Sequence, residues 1–404
     1  MSGQPSLRLV ERADDLPADE WATLVARSSV YCTQPWLRHR EQVLPSGGTA
    51  GYFLGSTDGT LVAGATAYAF DRAPHHLYDL GYLTSGLVSD EDAERLHTGP
   101  HVIGAGWAEF KGDLPLALDD VDDDGAGADA VTRSLLEGVL EWARARDAAL
   151  VPLTFLGLAD AMRVKRVFGE RATVVFSECE AVLPTRWADI EEYLAFLPKR
   201  RRHRVRRELR DIEQAGRVID YAQLDEVLDV VVPLNENLMR KYGHAVESMD
   251  LAGLYRSQSE QLSDQSRVLL LNDTGSDKLI GFSLNYRHGR GMYGRVVGFD
   301  YTADSHADYF NLVVYEPIRQ ARRAGYDFRH MGVGSLPAKL NRGAAANPVY
   351  HVFLDAAEKF PALPDLPARV NADRISAFRA EYGAQLMHPV DFETWVPDAW
   401  PLGG

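Results

Sequence analysis

Two short stretches late in the chain hold its densest mixture of acids, phenols and cations: "GFDYTADSHADYFN" and "HMGVGSLPAKLNRG". Transfer of an acyl group to an amine needs a base to take the proton of the nucleophile and donors to stabilise the tetrahedral oxyanion. In the first stretch Asp300, His306 and Asp308 are the candidate bases, and Tyr301 and Tyr309 the candidate donors. In the second, Lys339 and Arg342 can hold a carboxylate or phosphate. Gly334 and Asn341 stand beside them, and the flanking glycines leave backbone open to a ligand. A plainer reading also fits, because His306 and Asp308 stand where a helix should start and can cap it.

A third stretch, "FLPKRRRHRVRRELRDIEQAG", is strongly basic in a chain of net charge -15. Pro198 suits a first helical turn and Gly216 a C-terminal cap, while Val205, Leu209 and Ile212 form a stripe for the core. Lys199, Arg200, Arg201, Arg202, Arg204, Arg206 and Arg207 then crowd the first half of the helix, where cations oppose the macrodipole by about 0.3–1 kcal/mol each when exposed. Either Asp189, Glu191 and Glu192 neutralise them or a phosphate-bearing partner does. On the second reading Lys199, Arg200, Arg201, Arg202, Arg204 and Arg207 seat the phosphates of a tRNA or of a nucleotide-linked acceptor.

Other chemistries lack their residues. An acyl-CoA site calls for a glycine-rich turn before a helix N-terminus. Here "DDVDDDGAGADA" would repel phosphate, "VVGFDYTADSHADYF" has no glycine run, and "GRGMYGR" precedes a strand and reads as a turn. His288 and His306 have no carboxylate at ligand spacing, so no metal is expected, and no other cofactor. Cys32 and Cys179 exclude a disulfide framework and read as buried thiols. His75, His76 and Asp79 read as a loop lining the cleft between the two halves. The acidic charge argues against DNA as a partner. The N-terminal run has no apolar core and no later stretch is long enough to span a membrane, which predicts a cytoplasmic protein without membrane insertion.

The elements that must position these residues recur. Helices at "LPADEWATLVARSS" and "CTQPWLRHREQVL", a hairpin about Thr57-Asp58-Gly59, a helix over "AVTRSLLEGVLEWARARDA" and the strand "ALVPLTFLG" make up the first half. The second half repeats the order: the basic helix, a helix over "LDEVLDVVVPLNENLMRKYG", a hairpin about Asp273-Thr274-Gly275, the strand "GMYGRVVGF", a helix from about His306 to Ala324, and "DFRHMGVG". A length of 404 residues also favours two cores. The expected fold is α/β, a mixed sheet with flanking helices, in two domains, 1–184 and 185–404, the tail beyond Pro361 adding a loop and one helix.

That order is similar to a tandem GNAT fold. "KRRRHRVRRELRDIEQAG" resembles the Arg-rich helix that opens the second domain of Fem-type aminoacyltransferases, the group often labelled peptidoglycan biosynthesis. "FNLVVYEPIRQARRAGYDFRHMGVGSLPAKLNRGAAANPVYHVF" resembles that group's late block, with its Lys-x-x-Arg-Gly turn at Lys339, Arg342 and Gly343. Where one branch has His-Phe-Glu opening the late helix, this chain has Tyr309, Phe310 and Asn311. The resemblance implies an acyltransferase that takes an aminoacyl group from aminoacyl-tRNA to an amine or hydroxylamine-type acceptor, on a small molecule or a cell-wall precursor. Two alternatives stay open: an acyl-CoA-dependent N-acyltransferase, and a degenerate pair of GNAT folds acting as a binding module.

Overall fold

The structure, a computed structural model, describes residues 5–107, 109–117, 126–244, 246, 250–276, 278–357 and 366–400. The acidic run at 118–125 and the proline-containing run at 358–365 therefore lie outside the described residues. Two compact units divide the chain: 1–179, 347–384 and 389–404 make one, and 180–346 with 385–388 the other.

Unit 1 begins with β1 (Ser6–Val10), two helices (Ala18–Leu24 and Gln34–Gln42), and β2 (Thr49–Thr57) and β3 (Thr60–Phe70). Asp58 and Gly59 both take positive φ in the β2–β3 turn, as a tight hairpin requires. There follow β4 (His101–Gly104), the helix Ala126–Arg144, β5 (Leu150–Gly157), the helix Leu158–Phe168 and β6 (Ala172–Pro184). Pairing is antiparallel from β1 to β4 and parallel between β4 and β5. Trp21, Tyr52, Tyr68, Ile103 and Phe155 share its core. Gly64 is required there, because a Cβ would lie 2.7 Å from the Trp21 ring.

Unit 2 repeats the plan. The helices Ile190–Phe196 and Lys199–Gln214 precede β7 (Arg217–Ala222), and the helices Leu228–Lys241 and Leu251–Leu262 precede β8 (Ser266–Asp273), β9 (Lys278–His288) and β10 (Gly291–Phe299). A helix then starts at Asp308–Phe310, passes through a π-helical turn at Asn311–Tyr315 and continues as Glu316–Ala324. β11 (Phe328–His330) and the short helix Leu336–Leu340 complete the repeat, and β12 (Ala345–Asp355) follows. Pairing is again antiparallel from β7 to β10 and parallel between β10 and β11. The same pairing sequence in both units makes this a mixed α/β chain of two similar repeats.

The division differs from a simple cut at Pro184. β12 hydrogen-bonds β5 antiparallel, from Val349↔Gly157 to Asp355↔Leu150, so it completes unit 1. The end of β6, Val182–Pro184, pairs with β11 in unit 2. Assigning all of 185–404 to a second domain is thereby corrected: the helix Leu366–Tyr382 also belongs to unit 1, where Asn371 bonds the backbone of Val174 and Phe176. β1, β4, β7 and β12 were not expected as strands. β4 is only four residues long, and β7 alternates partly buried with exposed side chains on a sheet edge.

Candidate active site

In unit 2 the parallel pairing of β10 with β11 lasts for only three residues, Gly291–Tyr293 against Phe328–His330. β10 then bulges between Gly294 and Val296 and runs on to Phe299 beside β9. Past the bulge a cleft of about 420 Å³ opens against β10. Val297 and Phe299 of β10, Ile280 of β9, and Leu238, Lys241 and Tyr242 at the end of the helix Leu228–Lys241 form its walls. Asp300, Tyr301, Ala303 and Ser305 of the following loop, Asp308, Tyr309 and Phe310 of the next helix, and Ser335 and Ala338 close it. Ala307, just before that helix, and Ser335 both take left-handed backbone conformations, which cost a non-glycine residue strain and often mark functional sites.

Four of the five expected catalytic residues line this cleft, and their surroundings separate them. Asp308 is buried; its Oδ2 accepts from the His306 amide at 3.4 Å, and its Oδ1 has no hydrogen-bond partner among the described residues. Burial pushes its carboxyl above the ordinary range, outweighing the His306 amide and the Arg217 charge. It does not cap the helix: the capping position is Ala307, with no side-chain bond. Asp300 is a poorer base, because Oδ1 accepts from the Thr302 hydroxyl (2.6 Å) and amide (2.9 Å), which holds the carboxyl below its usual value. Burial keeps both Tyr309 and Tyr301 protonated past the usual phenol range, so either remains a donor. The half-buried His306 is not among the residues lining the cleft, and nothing in its placement supports a role as base.

The expected binding role of Lys339 and Arg342 is corrected. Lys339 is buried, and its ammonium donates to the carbonyl oxygens of Met331 (2.6 Å), Gly332 (3.1 Å) and Val333 (2.9 Å). Three N–H groups meet three carbonyls of the loop after β11, so the lysine ties that loop down and has no proton left for a ligand. Arg342 is equally committed: Nη2 donates to Glu208 (2.6 Å), Nε to the Tyr315 hydroxyl (2.8 Å) and Nη1 to the Ala338 carbonyl (2.8 Å), and its guanidinium stacks on Phe310. The Tyr315 hydroxyl donates to Glu208 as well. Asn341 donates to the Pro337 carbonyl and to Gln385. Gly334 is exposed with positive φ and nothing near its missing Cβ, which leaves open backbone beside Ser335.

Glu208, overlooked in the sequence, joins this network to the basic helix. Its signal was present: it is the acid that interrupts the apolar face of Val205, Leu209 and Ile212, all buried as expected. Lys241 and Tyr242 were also missed, and no motif marks them. On the basic helix the cations divide. Arg201 donates to the carbonyls of Leu340 (3.2 Å) and Gln385 (2.9 Å), and Arg202 to those of Ala195 and Leu197 at the end of the preceding helix. These two are structural, which corrects their assignment to phosphate. Arg206 pairs with Glu191 at 3.0 Å. Lys199, Arg200, Arg204 and Arg207 are exposed and make no ion pair among the described residues. Arg200, Arg204 and Arg207 follow one another at i, i+4 and i+7, so they share a face.

Elsewhere, His76 and Asp79 line a separate hollow of about 880 Å³ in unit 1, where Asp79 pairs with His97 Nδ1 at 2.6 Å. Both cysteines are buried and neither is in a disulfide, and burial pushes the Cys32 thiol up. Among the described residues no group of three His, Cys, Asp or Glu side chains could hold a metal, and no helix is long and apolar enough to cross a membrane.

The FemAB-like family model, described as peptidoglycan biosynthesis/recognition, matches residues 122–363, more than half of the chain. Among solved structures, that of FemX is 10% identical, covers 85% of this chain and 96% of its own, and superposes with a TM-score of 0.58. The structure of L-PGS from Bacillus licheniformis is 11% identical, covers 89% and 96%, and gives 0.52. At these identities the two structures report the fold alone. No curated protein matches the sequence.

Proposed function

The chain belongs to the FemAB-like family, and from that premise we propose that it moves an aminoacyl group from aminoacyl-tRNA to an amine at the cleft of unit 2. Family and fold support an acyl- or aminoacyltransferase; the donor and the acceptor are the proposed part. The observation that carries the proposal is Asp308: a buried carboxyl, raised in basicity, with one oxygen unbonded among the described residues, on the wall of the cleft where β10 leaves β11.

In the proposed step the amine loses a proton to Asp308 and its nitrogen attacks the ester carbonyl. The C–N bond forms, the oxyanion accepts a hydrogen bond from Tyr309, and the ester C–O bond breaks as the ribose oxygen leaves and takes up the proton that Asp308 received. Lys199, Arg200, Arg204 and Arg207, exposed and without an ion pair among the described residues, seat tRNA phosphates. Acyl-CoA is disfavoured as donor in this unit. The helix N-terminus that would cradle a pyrophosphate carries Asp308, and the loop before it offers Asp300 and Asp304 and no glycine. The test is binding of mixed aminoacyl-tRNA at low and moderate salt, with CoA and acetyl-CoA titrated in parallel, followed by transfer to an amine. Salt-sensitive tRNA binding without CoA binding is expected; tight CoA binding with no tRNA binding refutes the proposal.

A further inference from the structure

Tyr242 is 65% exposed and Tyr301 42%, and both stand on the wall of the same cleft. Large aromatic faces left to solvent beside a cavity call for an occupant. Here one is already present in part: the Lys241 ammonium lies 3.9 Å from the centroid of the Tyr301 ring and makes no ion pair among the described residues. Next to that ring Asp300 is held ionised by Thr302 through Oδ1, which leaves Oδ2 without a hydrogen bond among the described residues. An aromatic face with an ionised carboxylate beside it is the chemistry that holds an alkylammonium.

We infer that the mouth of the cleft is a cation subsite, in which Tyr301, Tyr242 and Asp300 hold the alkylammonium group of an aliphatic amine substrate, and that Lys241 occupies the seat when the substrate is absent. The inference rests on the cleft being the acyl-transfer site, and it names the acceptor as an aliphatic amine that arrives charged. Such an amine, with a pKa of about 10.4, is almost wholly protonated near neutral pH. Recognition therefore acts on the cation; one proton is released to solvent to give the neutral amine, and Asp308 on the same wall takes the second as the C–N bond forms.

The probe is 1,5-diaminopentane, titrated calorimetrically into the full chain, with 1,5-pentanediol as its neutral counterpart. The diamine binds and the diol does not. Asp300→Asn and Tyr301→Leu each weaken diamine binding about five-fold or more, with melting curves confirming that the variants fold. Lys241→Met tightens it about two- to five-fold, the worth of one partly exposed cation–π contact. Lys278→Met, which removes a positive charge acting on Asp300, tightens it less. Equal binding of diol and diamine overturns the subsite, as does an unchanged or weaker affinity in Lys241→Met. An equal gain in the two lysine variants reduces the effect to net charge and overturns the seat. Transfer measured separately keeps the two claims apart: transfer without diamine binding refutes the subsite alone, and binding without transfer refutes the catalytic reading.

Discussion

Replacing Asp308 by asparagine separates the catalytic reading from a structural one, because the two predict opposite effects on stability. The side chain is buried, and among the described residues its Oδ1 has no partner and Oδ2 takes only a long bond from the His306 amide. Asparagine keeps the shape and an acceptor oxygen for that amide, so little packing is lost. The folded-state pKa is raised, so the native protein binds this proton more tightly than the unfolded chain. That contribution is present at low pH and is lost as pH rises through the raised value; near neutrality the ionised carboxylate is a burden on the fold. Asp308→Asn should thus leave the melting temperature at pH 7.5 unchanged or higher, and make it less sensitive to pH just above the ordinary carboxylate range. Loss of a general base costs about 10²–10⁴ in rate. The assay is single-turnover transfer from a mixed pool of radiolabelled aminoacyl-tRNA to 1,5-diaminopentane, read as alkali-stable amide. The wild-type rate should fall on the acid side with a midpoint above that of a free carboxylate, and the limb should vanish in the variant along with most of the rate. A variant that melts several degrees lower, or that keeps its rate and its acid limb, would refute the reasoning.

Three other outcomes follow from the same geometry. Glu208→Ala leaves the buried Arg342 guanidinium without its anion and should cost about 3–5 kcal/mol in urea denaturation; a loss under about 1 kcal/mol would show that the clamp is idle. Arg204→Glu with Arg207→Glu should weaken tRNA binding and reduce the salt slope by about one per arginine, while Arg201→Ala should act mainly on stability, since its guanidinium holds the Leu340 and Gln385 carbonyls. His351 is buried, accepts from the Phe155 amide at Nδ1 and meets Ser177 Oγ at 2.9 Å through Nε2, and burial pushes its pKa from 6.5 down to about 3. The unfolded chain therefore takes up a proton that the native one refuses, and stability should fall as pH drops from about 6.5 toward 3, at up to about 1.4 kcal/mol per unit. His351→Gln should flatten that slope in acid melts.

The repeated α/β order, the hairpin turns and the basic helix were legible from residue order alone, because these rest on local signals: apolar periodicity, Asp-Gly turns, Pro198 and Gly216 at the helix ends. Residue order also located the loop and helix start that carry Asp308 and Tyr309. What it left open was which charges are free. Lys339, Arg342, Arg201 and Arg202 look in sequence like ligand-binding cations, yet each already bonds carbonyls or Glu208. Those acceptors come from other turns and from residues as far as 184 positions away, as with Arg201 and Gln385. Likewise the placement of β12 beside β5, and the meeting of Lys241 and Tyr242 with the loop at Asp300, depend on strand pairing and packing over long separations. A side chain's type states what it can bond; only tertiary structure decides what it has already bonded, because saturation of a buried cation is a property of its surroundings.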